Sequence, residues 1–495
     1  MNKAYRVEVG RWRRAPRGIV VTTTALVAML TGCSAPPRAE HATPVLELPT
    51  TTQPEATLAV DWWKSFGDAR LNALVEEALA QNRDLARAAA RIDQSRAALR
   101  LARADRLPSV SASVASSRQR ASETGAIPLG GVSPVANNHR ATLDVAYEVD
   151  LWSRLARTQD AARDELLATT DARDTLRIAL AAQVVESYVA LQALDAQVVL
   201  FERTVQAQRT SVDLQRRRYE AGDIGELDLR QLEAELIANE AQLPKLARAR
   251  GDAQRALAFV LGRSPRELVD GVVARADPPA AVPTGAQLPG ALPSNLLARR
   301  PDVQAASARL RAAGARVDAA RAAYFPSISL NAGIGGESAE LSKLTNGTSL
   351  IWSVLASLTQ PIWDGGRIDA SNDLARARQR EIEIDYRDTV ANAFKEASDA
   401  LAARTETEQS LRHATDRETA LAQAARLTKL RFDGGEESRI ELIRAERADL
   451  AAQSELVDAR RAVAAAQADL FRALGGGWSG AGTDLAAAGA GRHAD

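Results

Sequence analysis

The chain repeats itself once, and this internal duplication limits the possible fold more than any other feature of the sequence. Residues 84–110 match residues 302–328 at a constant spacing of 218, and residues 218–262 match residues 431–475 at a spacing of 213. Identical residues at equivalent positions include Ala88 and Ala306, Arg103 and Arg321, Pro108 and Pro326, Gly222 and Gly435, and Gly262 and Gly475. The sequence therefore predicts two copies of one unit of roughly 210 residues.

Each copy is predicted to contain the same succession of elements. A helix leads into a Pro-Ser step, two strands follow with a Gly-, Ser- and Asn-rich loop between them, and a very long helix, a glycine turn and a returning helix complete the unit. The helices are predicted at residues 71–106, 154–217 and 227–261 in the first copy, and at residues 299–323, 367–430 and 440–474 in the second. A helix of about 64 residues is roughly 96 Å long and needs packing partners along its whole length.

The returning helices carry apolar residues at heptad spacing, which is typical of coiled-coil packing. In the second copy the stripe alternates large and small side chains and includes one acid, at Leu442, Ala445, Asp449, Ala452, Leu456, Ala459, Val463, Ala466, Leu470 and Ala473. Pro244 lies inside the first returning helix and is predicted to kink it or to leave one hydrogen bond unmade, because proline has no backbone N–H to donate. Val457 occupies the equivalent place in the second copy, so that helix is predicted to be straighter.

The segments between the helices alternate apolar and polar residues, as strands do. From 143 to 151 the apolar side chains point one way and Asp144, Glu148 and Asp150 point the other. Residues 350–359 also divide between two faces, with Ile351 and Leu355 among the serines and threonine of the second face. Residues 109–117 and 327–333 supply the opposing strands. An apolar face opposite carboxylates fits a membrane strand with lipid on one side and water on the other. Trp152 and Trp363 follow the strands and are predicted either to mark the lipid boundary or to pack at the junction with the helix.

Four strands cannot close a barrel by themselves. An open sheet edge within lipid leaves backbone N–H and C=O groups unpaired, which is costly where no water can replace the missing partner. Closure therefore requires several copies of the chain, and three copies would supply twelve strands.

The first 32 residues resemble a bacterial lipoprotein signal peptide. Six basic residues precede an apolar run that is too short to span a bilayer, and the run ends in Leu30-Thr31-Gly32-Cys33. Cys33 is the only cysteine of the 495 residues, and we expect it to carry a covalent lipid. Ser34 follows where an aspartate would hold a lipoprotein at the inner membrane, so the outer membrane is the expected location.

Several classes of function are disfavoured by composition and spacing. The four histidines are far apart, and no metal-ligand spacing, nucleophile elbow or phosphate-binding glycine loop is present. We therefore expect neither an enzyme nor a metal site. Without its first 32 residues the chain carries 57 basic and 62 acidic residues, so nucleic acid is not an expected partner. No run of 18 apolar residues follows residue 32, and no membrane-spanning helix is expected.

The chain resembles the TolC-like outer-membrane efflux proteins, and specifically the lipoprotein branch that includes OprM- and NodT-type proteins. The resemblance covers residues 61–475. It rests on the order and duplication of short motifs: the lipobox ending at Cys33, Asp61-Trp62-Trp63-Lys64-Ser65-Phe66-Gly67-Asp68, Asn82-Arg83-Asp84-Leu85, Arg299-Arg300-Pro301-Asp302-Val303, Phe325-Pro326-Ser327-Ile328 and the two glycine turns.

This resemblance implies a mainly helical fold with a smaller β portion. Long antiparallel helices would form a periplasmic α-barrel, and four strands per chain would contribute to a twelve-stranded β-barrel in a homotrimer. The implied function is passive conduction of small toxic compounds such as drugs, dyes or metals. The implied partners are a periplasmic adaptor, an inner-membrane pump of the resistance-nodulation-division type and outer-membrane lipid.

The resemblance also assigns roles near the glycine turns. Gly222 and Gly435 would be the periplasmic helix tips that contact the adaptor. Ile440 occupies the position of an apolar constriction, and Glu441 matches the inner of two acidic gate positions. The outer position is Arg444, where relatives commonly carry aspartate, and Glu441 is expected to pair with Arg444 or with a neighbouring chain. Asp228 is the counterpart of Glu441 in the first copy, although an acid in a first helical turn is also explained by the helix dipole.

These inferences divide the chain into six predicted parts: a signal peptide at 1–32, a lipid-anchored linker at 33–60, the first repeat at 61–262, an equatorial linker at 263–297, the second repeat at 298–475 and a disordered tail at 476–495. Two alternatives to efflux remain. A protein of the same fold could serve as the outlet of a type I secretion system, and a lipoprotein with long coiled coils could act in the periplasm without forming a pore.

Overall fold

The structure is a computed structural model that describes residues 59–122, 124, 133–270, 273 and 299–476. The predicted signal peptide, the acylation site at Cys33 and the greater part of both linkers and of the tail lie outside the described residues. Short 3₁₀ helices span Trp62–Phe66, Leu341–Lys343 and Gly347–Ser349.

The described part of the chain contains nine α-helices and four strands. The first copy comprises α1 (Ala69–Gln81), α2 (Arg83–Ala104), β1 (Ser109–Arg120), β2 (Val135–Val149), α3 (Arg154–Glu220), α4 (Glu226–Glu240) and α5 (Leu243–Val260), and α6 (Pro265–Asp270) follows it. The second copy comprises α7 (Pro301–Ala322), β3 (Ser327–Ser338), β4 (Leu350–Thr359), α8 (Arg367–Asp433) and α9 (Arg439–Ala473). The element order of the two copies is the one that the sequence predicts.

The two long helices and the difference between the returning helices are confirmed. Both α3 and α8 contain 67 residues. The first returning helix is broken at residues 241–242, and Pro244 stands in the first turn of α5, where a missing N–H costs nothing. The second returning helix, α9, is continuous over 35 residues. Its predicted apolar stripe is largely buried, at Leu442, Ala452, Leu456, Val463, Ala466, Leu470 and Ala473.

The prediction of one helix over 71–106 was wrong, because Asn82 divides it into α1 and α2. The Asn82 side chain accepts hydrogen bonds from the backbone N–H groups of Asp84 and Leu85, which begins α2 as an N-cap. Its Nδ2 atom donates to the carbonyl oxygen of Val260 over 2.7 Å. The break therefore serves a contact with a residue 178 positions away, which local sequence does not indicate.

The strands form one antiparallel sheet in the order β1-β2-β3-β4. Val110 pairs with Val145, Val145 with Ala332, and Ala332 with Val354. On the other face Ser111 pairs with Asp144, Asp144 with Gly333, and Gly333 with Ser353. The register thus aligns the apolar positions of the four strands on one face, as the alternation predicts.

The main core lies where the long helices approach the short N-terminal ones. Trp62 stacks on Phe471 with ring centroids 4.7 Å apart and is 2% exposed. Around this pair the core gathers α1, the middle of α3, and the ends of α5 and α9; its members include Leu71, Val75, Leu180, Val184, Tyr188, Leu257 and Ala468.

From the sequence, no helix able to span a membrane was expected, but by length and composition alone one helix meets that criterion. One 18-residue stretch of α3 is long and apolar enough to do so. Its apolar side chains pack into the core around Trp62, and Glu186 lies within the same segment. The packing accounts for the apolar stretch, because a helix that is covered on several sides by protein needs apolar residues around most of its circumference.

Candidate functional site: the amphipathic sheet and the helical tips

One face of the sheet exposes a continuous apolar surface. Trp352 and Val354 on β4 are 74% and 75% exposed, although both are large and apolar. The same face carries other exposed apolar side chains on all four strands: Val110, Val114, Leu143, Leu330, Ile334, Leu350 and Leu358. Exposed apolar patches of this extent mark surfaces that contact something other than water, and strands 10 to 15 residues long can cross a bilayer when tilted.

The opposite face is mainly polar and internally hydrogen-bonded, although Leu355 of β4 is also exposed on it. The Asp144 carboxylate accepts from Thr142 Oγ1 over 2.8 Å, and the Ser113 and Thr142 hydroxyls lie 2.8 Å apart. At the helix end of the sheet, Arg154 donates to both oxygens of Glu148 over 2.8 Å. Such a face is suited to water, so the sheet has the two-sided character of a membrane strand around an aqueous channel.

The sheet joins the first long helix through Trp152. Its ring stacks on Phe325 at a centroid distance of 4.7 Å, and its indole N–H donates to the carbonyl oxygen of Pro326 over 2.7 Å. Of the two roles predicted for this tryptophan, packing at the junction is confirmed. Trp363 is 90% exposed and makes no such contact in the described chain.

At the far end of the long helices, both glycine turns have the same backbone geometry. Gly222 and Gly435 adopt φ of +82° and +76°. The next residue in each turn, Asp223 or Glu436, donates its N–H over 2.8 Å to the carbonyl of Arg218 or Arg431. This pattern is a Schellman motif, which ends a helix at a residue with positive φ and turns the chain sharply. The structure thus places Gly222 and Gly435 at the tips of two helical hairpins.

The predicted gate residues of the second copy lie together in the first turn of α9. The Ser438 hydroxyl accepts the N–H of Glu441 over 3.2 Å, which fixes Glu441 three residues inside the helix. The Glu441 carboxylate is in hydrogen-bond contact with Arg444, one helical turn further on. Ile440 is half-buried beside them. Glu441 was expected to pair either with Arg444 or with a neighbouring chain, and within one chain it pairs with Arg444.

The first copy builds the equivalent turn differently. Gly225 stands at the N-cap of α4 and offers no side-chain acceptor, and Asp228 occupies the place that Glu441 has in α9. Asp228 is half-buried. A carboxylate in this position is stabilised by the N-terminal end of the helix dipole, so its presence is explained with or without a role in gating.

Arg439, next to the predicted gate, was not singled out from the sequence. Its guanidinium lies 5.1 Å from the centre of the Phe432 ring and donates to the Ser211 hydroxyl on α3. Burial lowers the pKa of Arg439. Its Nε atom is buried and has no hydrogen-bond partner among the described residues. Ser211 is 228 positions away in sequence, and only the folded hairpins bring the two together.

A cavity of about 240 Å³ lies between the two hairpins near this turn, and both polar and apolar side chains line it. α3, α4 and α9 line it, and Arg439, Asp449 and Gln453 are among the lining residues. One oxygen of Asp449 accepts from Gln453 over 3.0 Å, while the other is buried without a partner in the described chain. Glu235 and Arg447 tie the two returning helices together across the cavity over 3.1 Å. The hairpins therefore meet here through charged pairs as well as through apolar side chains such as Leu232 and Leu450.

These features define a class of protein. A sheet with one apolar and one mainly polar face continues into two hairpins, each formed by a 67-residue helix and a shorter returning segment. The class is that of outer-membrane channels with a long periplasmic helical extension.

Comparison with known proteins identifies the family within this class. A model of the outer membrane efflux protein family matches residues 74–263 and 292–476. The chain is 35% identical to the outer membrane protein OprJ of Pseudomonas aeruginosa over 87% of this chain and 92% of that protein. It is 32% identical to the cation efflux system protein CusC of Escherichia coli over 91% of this chain and 96% of that protein.

A solved structure shows the same fold. The outer membrane channel CmeC of Campylobacter jejuni superposes with a TM-score of 0.83, at 23% identity, over 90% of this chain and 97% of that one. The chain belongs to the outer membrane efflux protein family. It is an outer-membrane efflux channel protein with a periplasmic extension, as the sequence resemblance implied.

Proposed function

We propose that three copies of this chain form one channel, and that the channel is the outer-membrane component of a tripartite efflux system. The observation that carries this proposal is the open four-stranded sheet with an exposed apolar face. One chain leaves both sheet edges unpaired in lipid, and three chains supply a closed ring of twelve antiparallel strands. The trimeric channels of the same family support the number three.

The proposed partners are a periplasmic adaptor at the helical tips and an inner-membrane pump of the resistance-nodulation-division type. The cargo would be small toxic compounds, and a cation efflux protein among the relatives supports metals as one class. The chain would conduct them passively without catalysis, while the pump supplies the energy. Efflux is favoured over protein secretion because CusC is named as an efflux protein, and family membership argues against a coiled-coil protein without a pore.

A lipid on Cys33 would anchor each copy to the outer membrane. The proposal rests on the lipobox and on the absence of any other cysteine from the sequence. Insertion of an acyl chain stabilises membrane attachment by about 0.8 kcal/mol for each buried methylene group. The anchor would therefore add to the apolar surface of the sheet.

The gate is proposed to lie at the start of α9 and to carry a paired charge. In a trimer three Glu441 carboxylates, each in contact with its own Arg444, would surround the axis. Both side chains are solvent-accessible, so each pair stabilises the chain little and can exchange partners. Removing Arg444 would leave three carboxylates that attract cations, whereas removing Glu441 would leave three guanidinium groups that repel them.

Single-channel recording in planar bilayers tests the pore and the gate together. We expect the ratio of potassium to chloride permeability to rise in Arg444→Ala and to fall in Glu441→Ala. Arg417→Ala is the matched control, because Arg417 pairs with Glu455 between α8 and α9, outside the predicted gate, and should leave the ratio unchanged. Channels whose selectivity is the same in all three variants would contradict the gate assignment. A folded wild-type protein that stays monomeric would contradict the channel itself.

A further inference from the structure

The contact between the two copies within one chain has a distinctive construction. β2 ends the strand pair of the first copy and β3 begins that of the second, and these two strands pair from Val149 with Ile328 onward. Just beyond this pairing, Trp152 stacks on Phe325 and donates to the carbonyl of Pro326. An aromatic residue that follows the descending strand thus covers the two residues that precede the ascending strand.

The outer edges of the sheet are equivalent to this inner pair. β1 corresponds to β3 and β4 corresponds to β2 in the duplication, and β1 and β4 are the two edge strands. Every neighbouring pair of strands in the sheet is antiparallel. β4 of one chain can therefore form an antiparallel pair with β1 of a neighbouring chain. The strand junction between subunits would then repeat the pairing of β2 with β3.

The register specifies which residues would meet there. Ser109 is equivalent to Ser327, and their strand partners are Ala146 and Thr359, so these two partners are equivalent as well. Transferring the pairing of Val149 with Ile328 to the outer edges sets Ile362 opposite Val110 of the next copy. Trp363 then lies opposite Ser109, next to Pro108. By this register Trp152 corresponds to Gly365 and Trp363 corresponds to Asp150, so the two tryptophans do not occupy equivalent positions in the duplication.

Large apolar side chains are exposed at this place on both edges. Ile362 and Trp363 are 91% and 90% exposed, and Leu107 on the other edge is 66% exposed. Leu107 and Pro108 are the counterparts of Phe325 and Pro326, which Trp152 covers within the chain. Exposed aromatic and aliphatic residues that flank an unpaired strand edge are suited to burial against another chain.

We propose that Ile362 and Trp363 of one subunit pack on Leu107 and Pro108 of the next and close each strand junction of the channel. The partner is a second copy of this chain, and the inference rests on the proposed trimer. Trp363 would thereby do between subunits what Trp152 does within one. Three such contacts would link the membrane sheet to the start of α8 around the whole ring.

Cross-linking tests the predicted register and leaves Trp363 in place. The full-length double variant Ile362→Cys with Val110→Cys, purified in detergent, should yield a covalently linked trimer on oxidation, reversed by a reductant. Residues opposite each other in antiparallel strands have the Cα separation that a disulfide requires. Each single variant is a control for Cys33 and should give no linked trimer. The pair Val149→Cys with Ile328→Cys is the matched control within one chain. On oxidation it should lose its free thiols to a disulfide, while the denatured protein keeps the mass of a single chain.

Substitution of Trp363 tests its contribution. In Trp363→Ala the trimer should dissociate at a lower temperature in detergent than the wild-type trimer, because the main apolar contact of each junction is lost. Trp363→Phe should recover most of the difference. The same protein carrying Trp352→Ala is a control, since Trp352 is exposed on the apolar face of β4 itself.

The outcomes separate this inference from the function on which it rests. Trimers that form but cannot be linked through positions 362 and 110, or that dissociate at an unchanged temperature in Trp363→Ala, would overturn the inference and leave the channel intact. Linkage that stops at dimers would also overturn it, because a closed ring requires three links. A wild-type protein that does not form trimers would overturn the proposed function as well.

Discussion

In each copy a side chain near the start of the first helices bonds a backbone carbonyl at the end of the returning helix. We call this contact the joint of the copy, and the two copies build it with different residues. In the first copy Asn82 donates to the carbonyl oxygen of Val260, and in the second Arg300 donates to that of Ala473, in both cases over 2.7 Å. Asn82 and Arg300 are equivalent in the duplication, as are Val260 and Ala473. Arg300 makes additional ion pairs with Asp302 and Glu396 over 2.7 and 2.8 Å. The duplication has therefore preserved the joint, and each copy uses a different side chain to donate a hydrogen bond to the equivalent carbonyl oxygen.

The glycines beside these joints give the largest expected difference between the copies. Gly262 and Gly475 share φ of +84° and +83°. A Cβ on Gly262 would lie 2.3 Å from the carbonyl oxygen of Gln81, whereas on Gly475 its nearest neighbour would be Arg300 Cγ at 3.2 Å. We expect Gly262→Ala to cost roughly 3 kcal/mol or more, because backbone must move, and Gly475→Ala about 1–2 kcal/mol from its φ alone.

Urea unfolding followed by helical circular dichroism measures both glycine variants under the same conditions. The midpoint should fall much further for Gly262→Ala than for Gly475→Ala. Equal losses would show that the two joints are equally tight and would remove this difference between the copies.

Removing the joint side chains is the next largest effect. Arg300→Ala leaves Asp302, Glu396 and a buried carbonyl without their cation, and the Arg300 side chain is only 7% exposed, so we expect a loss of about 3 kcal/mol. Asn82→Ala loses a helix cap and one buried hydrogen bond, for which about 1–2 kcal/mol is expected. The unfolding free energies of the two variants measure this difference.

A matched control for these variants is Arg87→Ala. The Arg87 side chain is 72% exposed and, within the part of the chain that the structure describes, pairs with Asp84 alone, so its loss should change stability by less than about 0.5 kcal/mol. If Arg300→Ala were no more destabilising than Arg87→Ala, the second joint would not depend on its charge pairs.

The smallest expected effect concerns the first residue before each long helix. Ser153 has φ of +62°, the only positive value among non-glycine residues of the described chain, and Gly366 occupies the equivalent place with φ of +84°. Ser153→Gly relieves the strain of a side chain in this conformation, so we expect a gain of about 0.5–1 kcal/mol. Gly366→Ser should lose a similar amount. Calorimetric melting temperatures that move in the opposite directions would contradict the equivalence of the two helix starts.

The repetitive parts of this fold could be predicted from the sequence, because they depend on local patterns. Period-two alternation identified the strands, and the length of the helical stretches identified α3 and α8. Pro244 marked the broken returning helix because proline acts through its own backbone. The same patterns indicated the hairpin tips at Gly222 and Gly435.

Long-range contacts explain what the sequence did not reveal. Asn82 divides the first helix to reach Val260, and Arg439 bonds Ser211 on another hairpin; in neither case does the local sequence indicate the partner. Trp152 and Trp363 looked alike in sequence, yet one is covered by Phe325 and the other is exposed. The roles of Ile440, Glu441, Arg444 and Asp228 in gating stay predictions, because a gate is formed by several chains.

The mass of the detergent-solubilised wild-type protein, measured by light scattering with the detergent contribution subtracted, tests the central claim most directly. That claim is that one chain supplies an incomplete sheet that only further copies can close. The account predicts a single species containing three chains, stable on dilution. A stable monomer whose strands resist proteolysis would contradict it, because the sheet would then close or shield its edges without a partner.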